Sequence, residues 1–152
     1  MTIVHHCAIC AHDLDESLRF WRDGLGFELL MDERFEGDWP TLLHAPSASL
    51  RSIFLGRPGV DAGIVELVDL GLPRPPGTTT DPPGHGFLLL SIMADVDQTL
   101  ARLARLGLGG PPRRTETQGI SMAVVTDPDG VLVELIGTAA IERLNRSSEA
   151  NE

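Results

Sequence analysis

The sequence predicts an α+β fold made of two tandem βαβββ modules whose curved mixed sheets enclose one cavity. Three observations support this prediction: one helix motif occurs twice, apolar strand-like segments flank each copy, and a proline-rich stretch separates the two halves. One helix covers only one face of a four-stranded sheet, so two such modules side by side can curl around a shared cavity. Any functional site is expected in that cavity.

The repeated motif is a helix signal with the same start and the same end in both halves. Residues 13–26 and 95–109 each open with Asp-x-Asp, an N-cap pattern, and each end at Gly-x-Gly, a C-terminal pattern. Apolar residues follow at helical spacing, namely Leu14, Leu18, Trp21 and Leu25 in the first copy and Val96, Leu100, Leu103 and Leu106 in the second. Both segments are therefore predicted to be amphipathic helices.

Each predicted helix follows one strand and precedes three more, all of them apolar segments bounded by turn residues. The strands are predicted at residues 2–11, 27–33, 50–55 and 63–69 in the first module, and at 86–93, 112–116, 120–126 and 131–136 in the second.

These elements divide the chain into a first module at residues 1–71 and a second at 85–138. Residues 72–84 hold five of the eleven prolines and are predicted to be a linker, because proline is excluded from helix interiors and central strands. Residues from about 35 to 49 have no counterpart in the second module and are predicted to be an insertion. Residues 139–152 are expected to form a C-terminal helix or tail.

The composition excludes several classes of function. The 152 residues have a net charge of −10, which disfavours binding to nucleic acid and to anionic membranes. No apolar run reaches the roughly 18 residues of a membrane span, and the start of the chain lacks a signal peptide, so a cytoplasmic location is expected. Lysine and tyrosine are absent, which rules out Schiff-base chemistry on lysine and acid catalysis by tyrosine.

The two cysteines, Cys7 and Cys10, lie three residues apart in the first predicted strand. Three residues of strand span about 10 Å, and an odd offset turns the two side chains to opposite faces. A disulfide between them is therefore not expected, and both are predicted to be small core residues.

Two glutamates occupy matching apolar strands, since both Glu66 and Glu134 stand within Val-Glu-Leu. A carboxylate in an apolar strand is costly unless it is paired or binds a metal. If the role is structural, each glutamate faces solvent or pairs with an arginine. If Glu66 is a metal ligand, its oxygens should face His6 instead. The consecutive residues His5 and His6 are expected to point to opposite faces, so that at most one of them faces the cavity.

Residues 6–27 resemble the opening of the vicinal-oxygen-chelate superfamily, which includes glyoxalases, bleomycin-resistance proteins and extradiol dioxygenases. The shared features are a histidine seven residues before Asp-Leu, then Phe-Trp, then Leu-Gly-Phe. Residues 127–136, Asp-Pro-Asp-Gly-Val-Leu-Val-Glu-Leu-Ile, resemble the closing strand of the family. Residues 63–67 resemble the strand with the third ligand in glyoxalase I-like members, so the resemblance covers residues 2 to about 138.

The resemblance implies a divalent metal ion, Mn²⁺, Ni²⁺, Zn²⁺, Fe²⁺ or Mg²⁺, bound by His6, Glu66 and Glu134. One nitrogen and two carboxylate oxygens suit these ions when water completes the shell. The resemblance also implies a catalytic role for Glu66 and Glu134, one of which would serve as the base in proton transfer.

The second module departs from the family pattern at the start of its first strand, where a ligand histidine is usual. Alignment on Ser91 puts Phe87 in that place, and counting back seven residues from Asp95 gives Leu88; neither side chain binds metal. His85 lies two residues before Phe87 and on the same face of an extended chain, so a local shift or bulge would bring it to the ion.

The resemblance implies a metal-dependent lyase, isomerase or epimerase acting on a small oxygenated molecule, as in glyoxalases. The ion would bind adjacent substrate oxygens while a glutamate moves a proton. Many members of the family are dimers, and a homodimer is expected.

Two other functions stay open. One is a metal-free protein of the bleomycin-resistance kind that binds a small molecule or an antibiotic. Phe87, Trp39 and Phe54 would then line an apolar pocket, and the acidic surface would suit a cationic ligand. The other is an extradiol-type dioxygenase, which needs two histidines and so depends on His85.

Overall fold

The chain folds into two four-stranded mixed sheets, with strand orders β1-β4-β3-β2 and β5-β8-β7-β6. The computed structural model describes residues 2–73 and 85–139. The strands are β1 His6–Cys10, β2 Glu28–Glu36, β3 Ser49–Gly56, β4 Ile64–Asp69, β5 Leu90–Met93, β6 Arg113–Thr117, β7 Ile120–Thr126 and β8 Leu132–Ile136. The helices are α1 Leu14–Leu18, which continues as a π-helix over Arg19–Gly24, α2 Trp39–Leu43 and α3 Val96–Leu106.

Both sheets have the same pairing pattern: the first strand of each module runs parallel to the last, and the other pairs are antiparallel. The predicted α+β fold of two βαβββ modules is therefore confirmed. The chain divides into two compact units, Met1–Thr78 and Thr79–Glu152. The cavity expected between the sheets stays a prediction, and residues 74–84 of the predicted linker and 140–152 of the predicted tail lie outside the described residues.

In the first unit, one face of the sheet is apolar and buried. Ile53 of β3 pairs with Leu67 of β4, and both are fully buried, as are Phe20 and Trp21 of the helical segment. Burying each such side chain contributes roughly 1.5–3 kcal/mol. Because strand side chains alternate, the residues between these positions lie on the opposite face of the sheet.

The first helix begins as predicted but changes its winding. The Asp13 carboxylate accepts hydrogen bonds from the backbone N–H groups of Asp15 and Glu16, both at 3.0 Å. After Leu18 the chain continues as a π-helix, whose wider turn inserts one residue into the repeat. This insertion lets the neighbouring residues Phe20 and Trp21 both be fully buried.

The second unit has a regular helix on a smaller core. Asp95 caps α3 by accepting from the Gln98 N–H at 3.0 Å, and the helix ends at Gly107, whose φ of 68° is left-handed. The buried side chains of this unit include Leu103 on α3 and Val133 and Leu135 on β8.

The segment predicted to be an insertion contains structure that the sequence did not predict. Strand β2 extends to Glu36, and α2 follows, begun by an Asp38 carboxylate that accepts from the Thr41 N–H at 3.3 Å. In the second unit the corresponding strands β6 and β7 are joined by Gln118 and Gly119 alone.

Neither cysteine forms a disulfide, as expected, but the prediction that they are core residues is wrong. Cys7 is half-buried and Cys10 is exposed. The odd offset places Cys10 on the face of β1 away from the buried apolar layer, so its side chain is exposed.

None of the helices in the described part of the chain has the length and apolarity that crossing a bilayer requires.

Candidate functional site

Strand pairing brings a cluster of four side chains together on the face of the first sheet opposite its apolar layer. Glu66 of β4 pairs with Phe54 of β3 on one side and with Ala8 of β1 on the other. His6 lies two residues before Ala8, and Ser52 lies two residues before Phe54. Because side chains two residues apart share a face, His6, Ser52, Phe54 and Glu66 lie together.

The Glu66 carboxylate contacts a histidine and a serine, and no arginine. Its Oε2 lies 3.2 Å from His6 Nε2, and its Oε1 accepts a hydrogen bond from Ser52 Oγ at 2.5 Å. No arginine among the described residues pairs with it. The side chain of Glu66 is 15% exposed and that of His6 38%. The second oxygen of Glu66 therefore faces His6, and the role of either residue as a metal ligand stays a prediction.

A second histidine joins the cluster. The Nδ1 atoms of His5 and His6 lie 2.9 Å apart, so one of them carries the proton and donates while the other accepts. Both rings lie near the ring of Phe54, with centroid distances of 6.2 Å and 5.4 Å. The expectation that His5 and His6 point to opposite faces is wrong, because β1 begins at His6 and strand alternation does not apply to His5. That at most one of them faces the cavity stays a prediction.

The His6–Glu66 pair fits one edge of a metal coordination shell. Two ligand atoms at about 2.1 Å from an ion and at right angles to each other are about 3.0 Å apart. The Nε2–Oε2 distance of 3.2 Å is close to that value. An imidazole nitrogen and a carboxylate oxygen also suit the divalent ions that the resemblance implies. The described His, Cys, Asp and Glu side chains form no group of three that could hold an ion.

In the second unit, Glu134 of β8 occupies the place that Glu66 has in β4. It pairs with Ser91 of β5 and Val124 of β7 and is half-buried. Its side chain forms no ion pair or hydrogen bond with any described residue, unlike Glu66.

The strand register identifies the counterpart of His6. In the first unit the histidine lies two residues before the β1 residue that pairs with the glutamate. The same count back from Ser91 gives Leu89, rather than Phe87 or Leu88. All three are apolar, so the second unit has no metal-binding side chain at this place.

His85 lies ahead of β5, in a bend, and is exposed. It makes no hydrogen bond or ion pair with a described residue. Its role as a metal ligand stays a prediction.

Of the three residues predicted to line a pocket, Phe54 is the one beside His6. Trp39 lies in α2, half-buried, and its Nε1 donates to the carbonyl oxygen of Phe35 at 3.2 Å. Phe87 is in the second unit and is 73% exposed.

Sequence reasoning missed Ser52 and misplaced His5. Alternation puts Ser52 on the face of Phe54, but only the pairing of β3 with β4 brings it to Glu66. A serine in an apolar strand has no pattern of its own that would mark this contact.

The fold agrees with what is found among known proteins. The chain belongs to the Glyoxalase/Bleomycin resistance protein/Dioxygenase superfamily, whose family model matches residues 3–135. It is 36% identical over 156 residues to lactoylglutathione lyase-like protein terB of Aspergillus terreus, an alignment that covers 94% of this chain and 79% of that protein. The predicted superfamily is therefore confirmed.

Solved structures show the same fold. TnmS3, an antibiotic binding protein from Streptomyces sp. CB03234, is 26% identical with a TM-score of 0.59, covering 90% of this chain and 96% of that one. The trypanothione-dependent glyoxalase I of Leishmania major is 22% identical with a TM-score of 0.68, covering 99% and 97% of the two chains. The second likeness supports the fold alone.

Proposed function

We propose that this protein is a divalent-metal-dependent lyase, isomerase or epimerase that acts on a small oxygenated molecule. The observation that supports this most is the pairing of Glu66 with His6 and Ser52 in place of an arginine. A carboxylate with a purely structural role would gain most from an arginine partner. The relative described as lactoylglutathione lyase-like supports the same class of reaction.

The proposed ligands are His6 and Glu66 from the first unit and Glu134, which the resemblance adds. His85 is a further ligand only if a local shift or bulge brings it to the ion. A bound Mn²⁺, Ni²⁺, Zn²⁺, Fe²⁺ or Mg²⁺ ion would stabilise negative charge on adjacent substrate oxygens. The imidazole of His6 favours the transition metals among these.

The proposed catalytic bases are Glu66 and Glu134. Glu66 has one oxygen held by Ser52 and the other 3.2 Å from Nε2 of His6. Such a fixed, partly desolvated carboxylate can take a proton from a substrate carbon and return it to a neighbouring one. Glu134 lacks a described partner and is the alternative base.

The test is the metal content of the untagged protein, measured by elemental analysis. We expect about one divalent ion per chain in the wild type and a large loss in His6→Ala, Glu66→Gln and Glu134→Gln, because each removes a ligand. His12→Ala is a matched control, since His12 also pairs with a glutamate, Glu16, at 3.4 Å, but away from Glu66, in the turn between β1 and α1. An ion retained by all three site variants, or lost equally from His12→Ala, would contradict the proposal.

Activity is then tested on the metal-loaded protein with aldehyde–thiol adducts and acyl thioesters. We expect turnover by the wild type and a loss of at least about 100-fold in Glu66→Gln or Glu134→Gln, whichever is the base. If both variants turn over the substrate as fast as the wild type does, neither glutamate is the base.

A second candidate function is metal-free binding of a small molecule or an antibiotic. The rings of His5, His6 and Phe54 form an aromatic surface, and the antibiotic binding protein TnmS3 is similar to this chain. Wild-type protein that takes up none of the five ions after reloading, but binds apolar or cationic drugs in calorimetry, would favour this function. Phe54→Ala should then weaken binding about tenfold or more.

An extradiol-type dioxygenase is the third possibility, and it requires His85 as the second imidazole ligand. The apolar residue Leu89 at the counterpart of His6 argues against it. Iron binding by the wild type that is lost in His85→Ala would support a dioxygenase.

A homodimer located in the cytoplasm stays a prediction, and sedimentation velocity tests the assembly state.

A further inference from the structure

The hydroxyl of Ser52 holds one oxygen of Glu66 in place. Ser52 is 2% exposed, and a hydroxyl so buried is stable only with a hydrogen-bond partner. Its Oγ donates to Glu66 Oε1 at 2.5 Å, along a diagonal between two paired strands of one sheet. With Oε1 fixed in this way, Oε2 is the oxygen left to face His6.

His5 holds one ring nitrogen of His6, as Ser52 holds one oxygen of Glu66. The two Nδ1 atoms are 2.9 Å apart, so Nδ1 of His6 is occupied and Nε2 is the ring nitrogen left to face Glu66. The ring of Phe54 lies beside both imidazoles, with centroid distances of 6.2 Å to His5 and 5.4 Å to His6. His6 Nε2 and Glu66 Oε2 lie 3.2 Å apart. In each of these side chains the other polar atom is held by a neighbouring residue.

We propose that Ser52 and His5 are positioning residues that aim Glu66 Oε2 and His6 Nε2 at one ligand position. This inference rests on the proposed function, because it assigns the two atoms to an ion. Neither Ser52 nor His5 needs to touch that ion. Outer partners that orient metal ligands commonly change metal affinity by about 10–100-fold when they are removed.

The experiment measures Ni²⁺ and Zn²⁺ affinity of the full chain by calorimetry, with a competing chelator where binding is tight. We expect Ser52→Ala to bind about 10–100-fold more weakly and Ser52→Thr, which keeps the hydroxyl, to stay within about threefold of wild type. His5→Phe keeps a ring against Phe54 but removes Nδ1, and we expect about tenfold weaker binding.

Ser17→Ala is the matched control for loss of a buried hydroxyl. Ser17 is fully buried in the same unit, in α1, and has no contact with Glu66. We expect its metal affinity to be unchanged even where its thermal stability falls. Melting curves of every variant show whether it is folded, and the exposed position of His5 makes His5→Phe the substitution that folding tolerates best.

The outcomes separate this inference from the proposed function. If the wild type binds metal and Ser52→Ala or His5→Phe binds equally well, the positioning role of that residue is wrong while the metal site stands. If Ser17→Ala weakens binding as much as Ser52→Ala, general destabilisation explains the effect and the inference is wrong. If the wild type binds none of the ions, the proposed function and this inference both fail.

Discussion

At the scale of single residues, an ion pair joins Asp32 of β2 to Arg51 of β3. The guanidinium donates from Nε to Oδ1 at 2.8 Å and from Nη2 to Oδ2 at 2.6 Å. These bidentate hydrogen bonds hold the pKa of Asp32 below its ordinary value and raise the pKa of Arg51. The two side chains are 31% and 36% exposed, so solvent screening limits the pair to about 0.2–1 kcal/mol.

We expect Asp32→Asn to lower the free energy of unfolding at pH 7 by that amount, about 0.2–1 kcal/mol. The pKa of Asp32 is lower in the folded state, so the stabilisation is present above the unfolded value of about 3.9 and is lost as the pH falls through the folded value. Urea unfolding at pH 7, 5 and 3 measures this, with the exposed residue Asp61 changed to Asn as the control. A difference between wild type and Asp32→Asn that stays constant from pH 7 to pH 3 would contradict the expectation.

Single residues also show where sequence reasoning stops. The Val-Glu-Leu pattern and the histidine spacing selected His6 and Glu66, which the structure brings to 3.2 Å. The contact of Ser52 with Glu66 could not be predicted, because it depends on the pairing of β3 with β4, which the sequence of β3 does not encode. His5 was misplaced because alternation holds only inside a strand, and the strand begins one residue later.

At the scale of elements, the helix caps were predictable from short patterns. Asp13 and Asp95 both accept hydrogen bonds from N–H groups in the first helical turn. These N–H groups have no partner within the helix, so an aspartate at the N-cap satisfies them and also favours the positive end of the helix dipole. The cap of α3 is the better one to test, because that helix is regular over its whole length.

We expect Asp95→Ala to lower the free energy of unfolding by about 1 kcal/mol, because the Gln98 N–H loses its acceptor. Asp95→Asn keeps a side-chain oxygen and should recover most of that loss. Urea unfolding gives the free energies, and hydrogen exchange at the Gln98 amide shows whether the change is at the cap. Equal loss in the two variants would mean that the charge rather than the acceptor matters.

The strands were predictable and the helix winding was not. Apolar segments predicted all eight strands, although β1 and β5 each begin four residues later than expected. Helical spacing predicted Leu18 and Trp21 on the buried side. Trp21 is fully buried, but Leu18 is only half-buried, and the fully buried residues Ser17 and Phe20 were not predicted. The sequence pattern assumes a constant helical repeat, and packing of two adjacent aromatic rings against the sheet selects a π-helical turn instead. Helix α2 has five residues, too few to show a period.

At the scale of the whole molecule, the net charge of −10 bears on the proposed metal site. A negatively charged chain attracts divalent cations, but general attraction does not distinguish one carboxylate from another. An ion bound by the native cluster, and not by the unfolded chain, stabilises the native state in proportion to the logarithm of its concentration over its Kd. The melting temperature therefore reports on the site without requiring a substrate.

We expect a transition-metal ion at 100 times its Kd to stabilise the wild type by about 2.7 kcal/mol, which for a chain of this length raises Tm by about 5–10 °C. Excess chelator should remove the increase. His6→Ala and Glu66→Gln should show little of it, while His12→Ala should keep it, because only the first two change the proposed ligands. If Glu66→Gln responds like the wild type, the ion binds the acidic surface elsewhere. If no ion shifts Tm and an aromatic ligand does, the cluster of Phe54 with the two histidines is a binding surface for small molecules, and Glu66 only orients His6 within it.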